Sequence, residues 1–213
     1  MSGFDHVIWD WNGTLLDDAW LCVEIMNGML VRRGLPGLTP AAYEAHFDFP
    51  VLDYYRRLGF DFEREAFDQV GLEFVEAYER RKDECRLRAG AAAALAEIKR
   101  TGIRQSVLSA CRHERLLDAI GRFGLAGIFH DVSGHVDDYA AGKVEKGRQL
   151  AGTLGCPMSR VLLVGDTVHD FHVAQAMGAA CRLMPCGHNS RQRLVASGAR
   201  IISAITDVLA ELR

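Results

Sequence analysis

The sequence predicts an α/β protein, a Rossmann-like parallel sheet with helices on both faces, plus a small inserted all-helical segment. Three observations carry that expectation. From residue 87 onward, short apolar runs alternate with segments of helical period, which is the pattern of a parallel sheet crossed by helices. One run, Val161-Leu162-Leu163-Val164, is apolar throughout, as a strand covered on both faces must be. Between residues 17 and 86 no strand pattern occurs.

Each element follows from local chemistry. Phe4 to Trp9 reads as a short buried strand, ending at Asp10 and a Gly13-Thr14 turn. From Asp17 to Arg33, Trp20, Val23, Met26 and Leu30 recur at helical spacing. The stretch RGLPGLTP breaks that helix, and Thr39-Pro40 opens a short one as cap and first-turn proline. Asp61 to Arg86 reads as one long charged amphipathic helix. Ala89 to Arg100 is a helix stopped by Thr101-Gly102, and Ile103 to Leu108 a strand ended by Ser109. Glu114 to Arg122 is a helix, Ile128 to Ser133 a strand and Lys143 to Leu154 a helix. Beyond the apolar run, His169 to Met177 is a helix closed by Gly178. Ala180 to Met184, Ser190 to Ala196, Ala199 to Ile202 and Ser203 to Leu212 continue the alternation. Residues 1–16 and 87–213 are expected to form an α/β core domain, and residues 17–86 a helical domain inserted into it.

Composition narrows the function. The 213 residues are 49% hydrophobic, as a packed globular chain requires. A formal net charge of −3 and scattered arginines argue against a general binder of nucleic acid or anionic membranes, which needs a basic face. No apolar stretch is long enough to span a bilayer, and Asp5 and His6 arrive where a secretory signal would be basic and then apolar. The six cysteines form no CxxC pair or regular spacing, which reads as free thiols in a reducing cytoplasm.

In an open parallel sheet, ligands bind beyond the carboxyl ends of the strands. Asp10 follows the first strand, Ser109 the second, and Gly165-Asp166 the long apolar one. Asp170 stands in the first turn of the next helix, and Lys143 opens the helix before that strand. Three acids, a hydroxyl and an ammonium thus converge on one rim. Clustered carboxylates repel unless a cation separates them, and an all-oxygen donor set suits Mg²⁺. A carboxylate beside the metal can attack phosphorus and become an aspartyl phosphate. The hydroxyl and the ammonium can hold phosphoryl oxygens, and backbone N–H groups after Asp10 can cradle them.

The stretches DWNGTL, SVLSA, AAGKVEKG and VLLVGDTVHD, in that order, resemble the four motifs of the haloacid dehalogenase-like hydrolase superfamily. The resemblance spans nearly the whole chain and is specific to the phosphoglycolate-phosphatase-like branch with a helical cap. It implies a Mg²⁺-dependent phosphatase acting on a small phosphorylated metabolite, as a monomer or homodimer. It implies catalytic roles for Asp10, the nucleophile, and for Asn12, Ser109 and Lys143. Phosphate binding falls to Trp11, Asn12, Ser109, Ala110 and Lys143, and the metal to Asp10, Asn12 through its backbone carbonyl, Asp166 and Asp170. Thr14 belongs to the tight turn. Lys146, one helical turn after Lys143, is the competing lysine. His169, between two acids, is expected near the site. His188 could edge it or belong to a polar loop, and Arg56, Arg57 and His46 could meet an anionic substrate or form a solvated surface.

One residue departs from the pattern. The family's phosphatases usually place an aspartate at the position of Asn12, where it gives a proton to the leaving oxygen. An amide has no titratable proton and cannot do that work. Three readings follow: a phosphatase that is slow or uses another acid such as His169; other chemistry of the superfamily, phosphonatase-like or dehalogenase-like; or a low-turnover binder of a phosphorylated metabolite. A phosphonatase needs a cap lysine for a Schiff base, and Lys82 alone lies in this segment. A dehalogenase needs no metal.

Overall fold

The computed structural model describes residues 3–135 and 142–212. Ala140 and Ala141, at the start of AAGKVEKG, lie outside the described residues. The chain begins with β1 (His6–Trp9) and β2 (Leu16–Asp17). Four helices follow: α1 (Ala19–Arg32), α2 (Pro40–His46), α3 (Val51–Arg57) and α4 (Phe67–Arg81). Then come β3 (Arg86–Leu87), α5 (Ala91–Thr101), β4 (Arg104–Arg112), α6 (His113–Arg122) and β5 (Asp131–His135). The remainder is α7 (Lys143–Thr153), β6 (Val161–Gly165), α8 (Val168–Met177), β7 (Ala180–Leu183), α9 (Arg191–Ala196), β8 (Arg200–Ile201) and α10 (Val208–Glu211).

Six strands form one parallel sheet in the order β5-β4-β1-β6-β7-β8. The order reverses at β1, which pairs with β4 on one side and β6 on the other. Such a switch point opens a crevice beyond the strand ends, and Asp10 is the first residue past β1. Period-two alternation divides the strands between two apolar layers. Val7, Trp9, Leu162 and Val164 pack with Leu95, Ile98 and Val208 on one face. Ile8, Val161 and Leu163 pack with Leu150, Val173 and Leu194 on the other. Two buried polar contacts cross strands inside this sheet: Trp9 Nε1 donates to Gln105 Oε1 at 3.0 Å, and His6 Nε2 meets Ser106 Oγ at 2.8 Å.

The segment between β1 and β4 departs from the sequence reading in three places. A strand pair does occur at its two ends: Leu16 and Asp17 pair antiparallel with Leu87 and Arg86. Two-residue strands carry no readable period, so only tertiary pairing reveals them. The helix expected from Asp61 to Arg86 is shorter, α4 alone. Asp61 Oδ1 accepts from Glu63 N at 3.0 Å, a local side-chain bond that competes with helix, and beyond Arg81 the chain tightens into a 3₁₀ turn at Lys82–Glu84 before β3. Finally, α3 was not legible, because seven residues are too few for a helical period to show. The Thr39-Pro40 start does form, with the Thr39 hydroxyl accepting from Ala42 N at 3.1 Å.

Candidate active site

The turn after β1 is fixed from several sides. Thr14 N and Leu16 N both donate to Trp11 O, at 3.3 and 2.8 Å. Arg88, just beyond β3, donates to Gly13 O at 2.9 Å and Thr14 O at 3.1 Å. Gly13 has φ of +77°, and a Cβ there would stand 2.4 Å from Asp166 Oδ2. Glycine is therefore required both by conformation and by the closeness of the acid. Trp11 points its side chain into the core against Phe123, with ring centroids 6.2 Å apart, so it can offer a phosphate only its backbone.

Ser109 does not end its strand, as the sequence suggested. β4 continues to Arg112, and its register with β5 slips between Leu108 and Arg112. Leu108 pairs with Ser133 and Arg112 with His135, which leaves Ser109, Ala110 and Cys111 opposite Gly134 alone. A Cβ at Gly134 would meet His113 Cα at 2.7 Å and Cys111 O at 2.8 Å, so the bulge closes only over glycine. Bulges re-aim side chains next to functional sites. Here the bulge places Ser109 and Ala110 on the wall of the cavity that holds Asp10. The buried Ser109 Oγ accepts from Cys111 N at 3.0 Å.

Asp10, Asp166 and Asp170 are all buried, and each offers an oxygen within 4.8 Å of the others. Lys143, the buried first residue of α7, donates to Asp10 Oδ1 and, at 2.5 Å, to Asp170 Oδ1. Thr14 Oγ1 donates to Asp166 Oδ1 at 2.7 Å, and His188 N to Asp166 Oδ2 at 2.6 Å. Asp170 also caps α8, accepting from Thr167 N at 3.0 Å and from Thr167 Oγ1 at 2.6 Å. Burial pushes Asp10 up to about 8 against the pull of Lys143, and the neighbouring acids add to the rise. Burial and then Asp170 push Asp166 up to about 7. Burial opposes ionisation of Asp170 as well, but Lys143 holds it below the usual carboxylate range. One ammonium cannot balance all three carboxylates once they ionise, and their oxygens form a hard donor set. The residues fit a divalent cation of the Mg²⁺ kind.

A second polar cluster was not legible in the sequence. Asp18 is buried between the turn and α1. Its Oδ2 accepts from Asn12 Nδ2 at 2.7 Å and from Tyr78 Oη at 2.6 Å, and its Oδ1 accepts from Gly13 N at 2.8 Å. Asn12 Nδ2 also approaches Tyr78 Oη at 3.2 Å. The Asn12 amide is thus held by an acid that acts only as an acceptor. The one signal was the pair Asp17-Asp18 before α1, which reads equally as a helix start.

A cavity of about 430 Å³ joins Asp10, Asn12, Ser109, Ala110, Lys143 and Asp170 to the four-helix segment above them. Neither Asp166 nor Lys146 lines it. His188, half expected in a polar loop, is buried on the wall, with Nδ1 2.9 Å from Tyr43 Oη. His169 lies outside the lining, its ring tilted by 37° against that of Phe49 with centroids 4.9 Å apart. Burial, then the charge of Lys143, lower its pKa. Arg56 pairs with Asp53 at 3.1 Å, and Arg57 donates to His46 O at 3.3 Å. None of Arg56, Arg57 and His46 reaches the cavity. Lys82 is also elsewhere, paired with Asp118 at 2.9 Å and Glu79 at 3.0 Å.

The family model described as haloacid dehalogenase-like hydrolase matches residues 7–183. The chain belongs to this family. As a haloacid dehalogenase-like hydrolase it shares its fold with several solved structures. A predicted phosphoglycolate phosphatase from Haemophilus somnus is similar at a TM-score of 0.80 and 19% identity, over 99% of this chain and 98% of that one. A predicted phosphatase from Clostridium acetobutylicum has a TM-score of 0.79 and 18% identity, over 99% and 98% of the two chains. Protein tyrosine kinase A from Mycobacterium tuberculosis has a TM-score of 0.80 and 21% identity, over 98% and 97%. No curated protein matches the chain. Identities this low speak for fold, and the different names carried by these neighbours leave the reaction to be argued from the site. No helix among the described residues is long and apolar enough to cross a membrane.

Proposed function

We propose that this hydrolase is a Mg²⁺-dependent phosphatase that cleaves a small phosphorylated metabolite through an aspartyl phosphate on Asp10. The observation that carries the reading is the buried Asp10–Asp166–Asp170 cluster with Lys143 reaching into it. Asp10, Asp166, Asp170 and the Asn12 backbone carbonyl would hold the metal, which supplies positive charge between carboxylates and phosphoryl oxygens. Asp10 attacks phosphorus, and the bond to the leaving oxygen breaks with its electron pair on that oxygen. Lys143 and the Ser109 hydroxyl hold the phosphoryl oxygens and offset their charge. Water then attacks the phosphoaspartate at phosphorus, releasing phosphate and restoring the carboxylate. Residues 17–86 act as the cap over a core of residues 1–16 and 87–213, excluding bulk water and contacting the leaving group.

Asn12 sits where a proton would be needed and has none to give. Asp18 accepts three hydrogen bonds and is committed as an acceptor. A phosphonatase mechanism is disfavoured by the engagement of Lys82 outside the cavity. The experiment is a Mg²⁺ titration with a panel of phosphate monoesters, with release of inorganic phosphate as the readout. Hydrolysis that rises with Mg²⁺ and stops on chelation is the expected result. Full hydrolysis in chelator would reject the reading.

A further inference from the structure

The phosphatase reading leaves open what the phosphate is attached to, and the cavity wall speaks to that. Eight aromatic side chains line the cavity, Tyr43, Phe47, Phe49, Tyr54, Phe74 and Tyr78 among them. The four-helix segment contributes no lysine, arginine or histidine to this lining, but it does contribute the acids Asp18, Asp68 and Glu79. The cations that do line it come from the other side of the site and are engaged. Lys143 binds Asp10 and Asp170, Arg112 pairs with Glu114 at 3.0 Å, and Arg115 pairs with Glu79 at 3.4 Å. A leaving group bearing its own carboxylate would therefore meet rings and acids. An aromatic one would meet offset-stacked and edge-to-face partners. The volume lies within the span of about 300–1,000 Å³ usual for small-molecule pockets.

A further observation points the same way. At the reacting end, Asn12 offers no proton and Asp18 is held as an acceptor. A phenolate departs without protonation, whereas an alkoxide does not.

We infer that the substrate is a small aryl phosphate, a monoester of a phenol whose ring sits among the cavity's aromatic side chains. The inference rests on the phosphatase reading. The Asp10 carboxylate forms a bond to phosphorus while the phosphorus–oxygen bond to the ring breaks. The electron pair leaves on the phenolic oxygen, which takes its proton from water after release.

Binding of non-hydrolysable phosphonates to the protein in Mg²⁺, followed by calorimetry, separates recognition from turnover. The probes are methylphosphonate, phosphonoacetate and phenylphosphonate. Phenylphosphonate should bind at least about tenfold tighter than methylphosphonate, from burial of its ring. Phosphonoacetate should bind no tighter than methylphosphonate. Methylphosphonate binding with no gain from the ring, or with a gain for phosphonoacetate, overturns the aryl assignment and leaves the phosphatase reading standing. Failure of every phosphonate to bind in Mg²⁺ overturns the phosphatase reading itself, and the aryl assignment with it.

Discussion

The two walls of the cavity are built by opposite means. On the rim of the parallel sheet, every functional side chain is locked by hydrogen bonds. Lys143 ties Asp10 to Asp170, Thr14 and His188 hold Asp166, and Thr167 holds Asp170. On the facing helices the wall is mostly apolar and aromatic, and its order comes from packing, as where Tyr43 and Phe47 stack at 5.1 Å and Tyr54 meets Phe47 edge-on at 5.3 Å. A rim of fixed charges suits one reaction at one atom, because preorganised groups need not reorient as charge develops. A wall of rings suits selection by shape and polarity. On the proposed reading, the rim carries the chemistry and the helices choose the leaving group.

Replacing Asp10 breaks the rim side of this contrast most severely. Asp10→Asn should lower kcat/KM by about 10⁴-fold or more, the scale seen when a covalent nucleophile is lost. Its thermal unfolding should remain cooperative. Unchanged hydrolysis in the variant would remove the nucleophile assignment.

Asn12→Asp should sharpen the comparison from the junction of the two walls. The new carboxyl would lie where the Asn12 amide now bonds Asp18. Two carboxylates at that distance share a proton, and that proton becomes available to a leaving oxygen. Alkyl phosphate kcat/KM should rise by about 10² to 10⁴-fold, the range of general acid–base assistance, while aryl esters gain far less. An alkyl rate that stays flat or falls would show that the missing acid is not what limits the enzyme.

Much of the rim was legible in the sequence. Asp10 and Asp166 each follow a strand and Asp170 stands in the first turn of a helix, positions that a parallel sheet gathers at one edge, and the strand end expected at Ser109 put that residue at the same edge although β4 runs on to Arg112. Asp18 and Tyr78 were not legible, because Asp18 reaches Asn12 through the shape of the turn after β1 and Tyr78 joins them only when α4 folds back over it. The bulge that aims Ser109 was hidden for a similar reason. It is a mismatch in length between β4 and β5, and nothing in either strand alone records it. The strand pair β2–β3 and the short α3 escaped because periodicity needs more residues than they have. The rings of the helical wall were visible as residues, but their common direction was set by tertiary packing.

Gly134→Ala tests whether the bulge matters to the rim. The added methyl would press on the backbone at His113 and Cys111, so the strands must shift. A cost of about 1–3 kcal/mol is expected from such overpacking, read as a lower Tm, together with a loss of kcat as Ser109 moves. Wild-type Tm and kcat would show that the register slip tolerates a side chain.

Arg56→Ala should do least. Its ion pair with Asp53 is exposed on both sides and worth about 0–1 kcal/mol, and neither residue lines the cavity. kcat/KM should stay within about twofold of wild type. A large loss would mean that the helical segment reaches the substrate through a cation absent from the wall described above.

The most direct test of the account is to catch phosphorus on Asp10. Without a general base at Asn12, hydrolysis of the phosphoaspartate should be slow enough for it to accumulate during turnover of phenyl phosphate in Mg²⁺. Protein quenched in acid at steady state and digested for mass spectrometry should carry one added phosphoryl group on the peptide containing Asp10. The adduct should be absent from Asp10→Asn and from samples prepared in chelator. Sustained turnover with no adduct on that peptide, or with the phosphoryl group on another residue, would contradict the account.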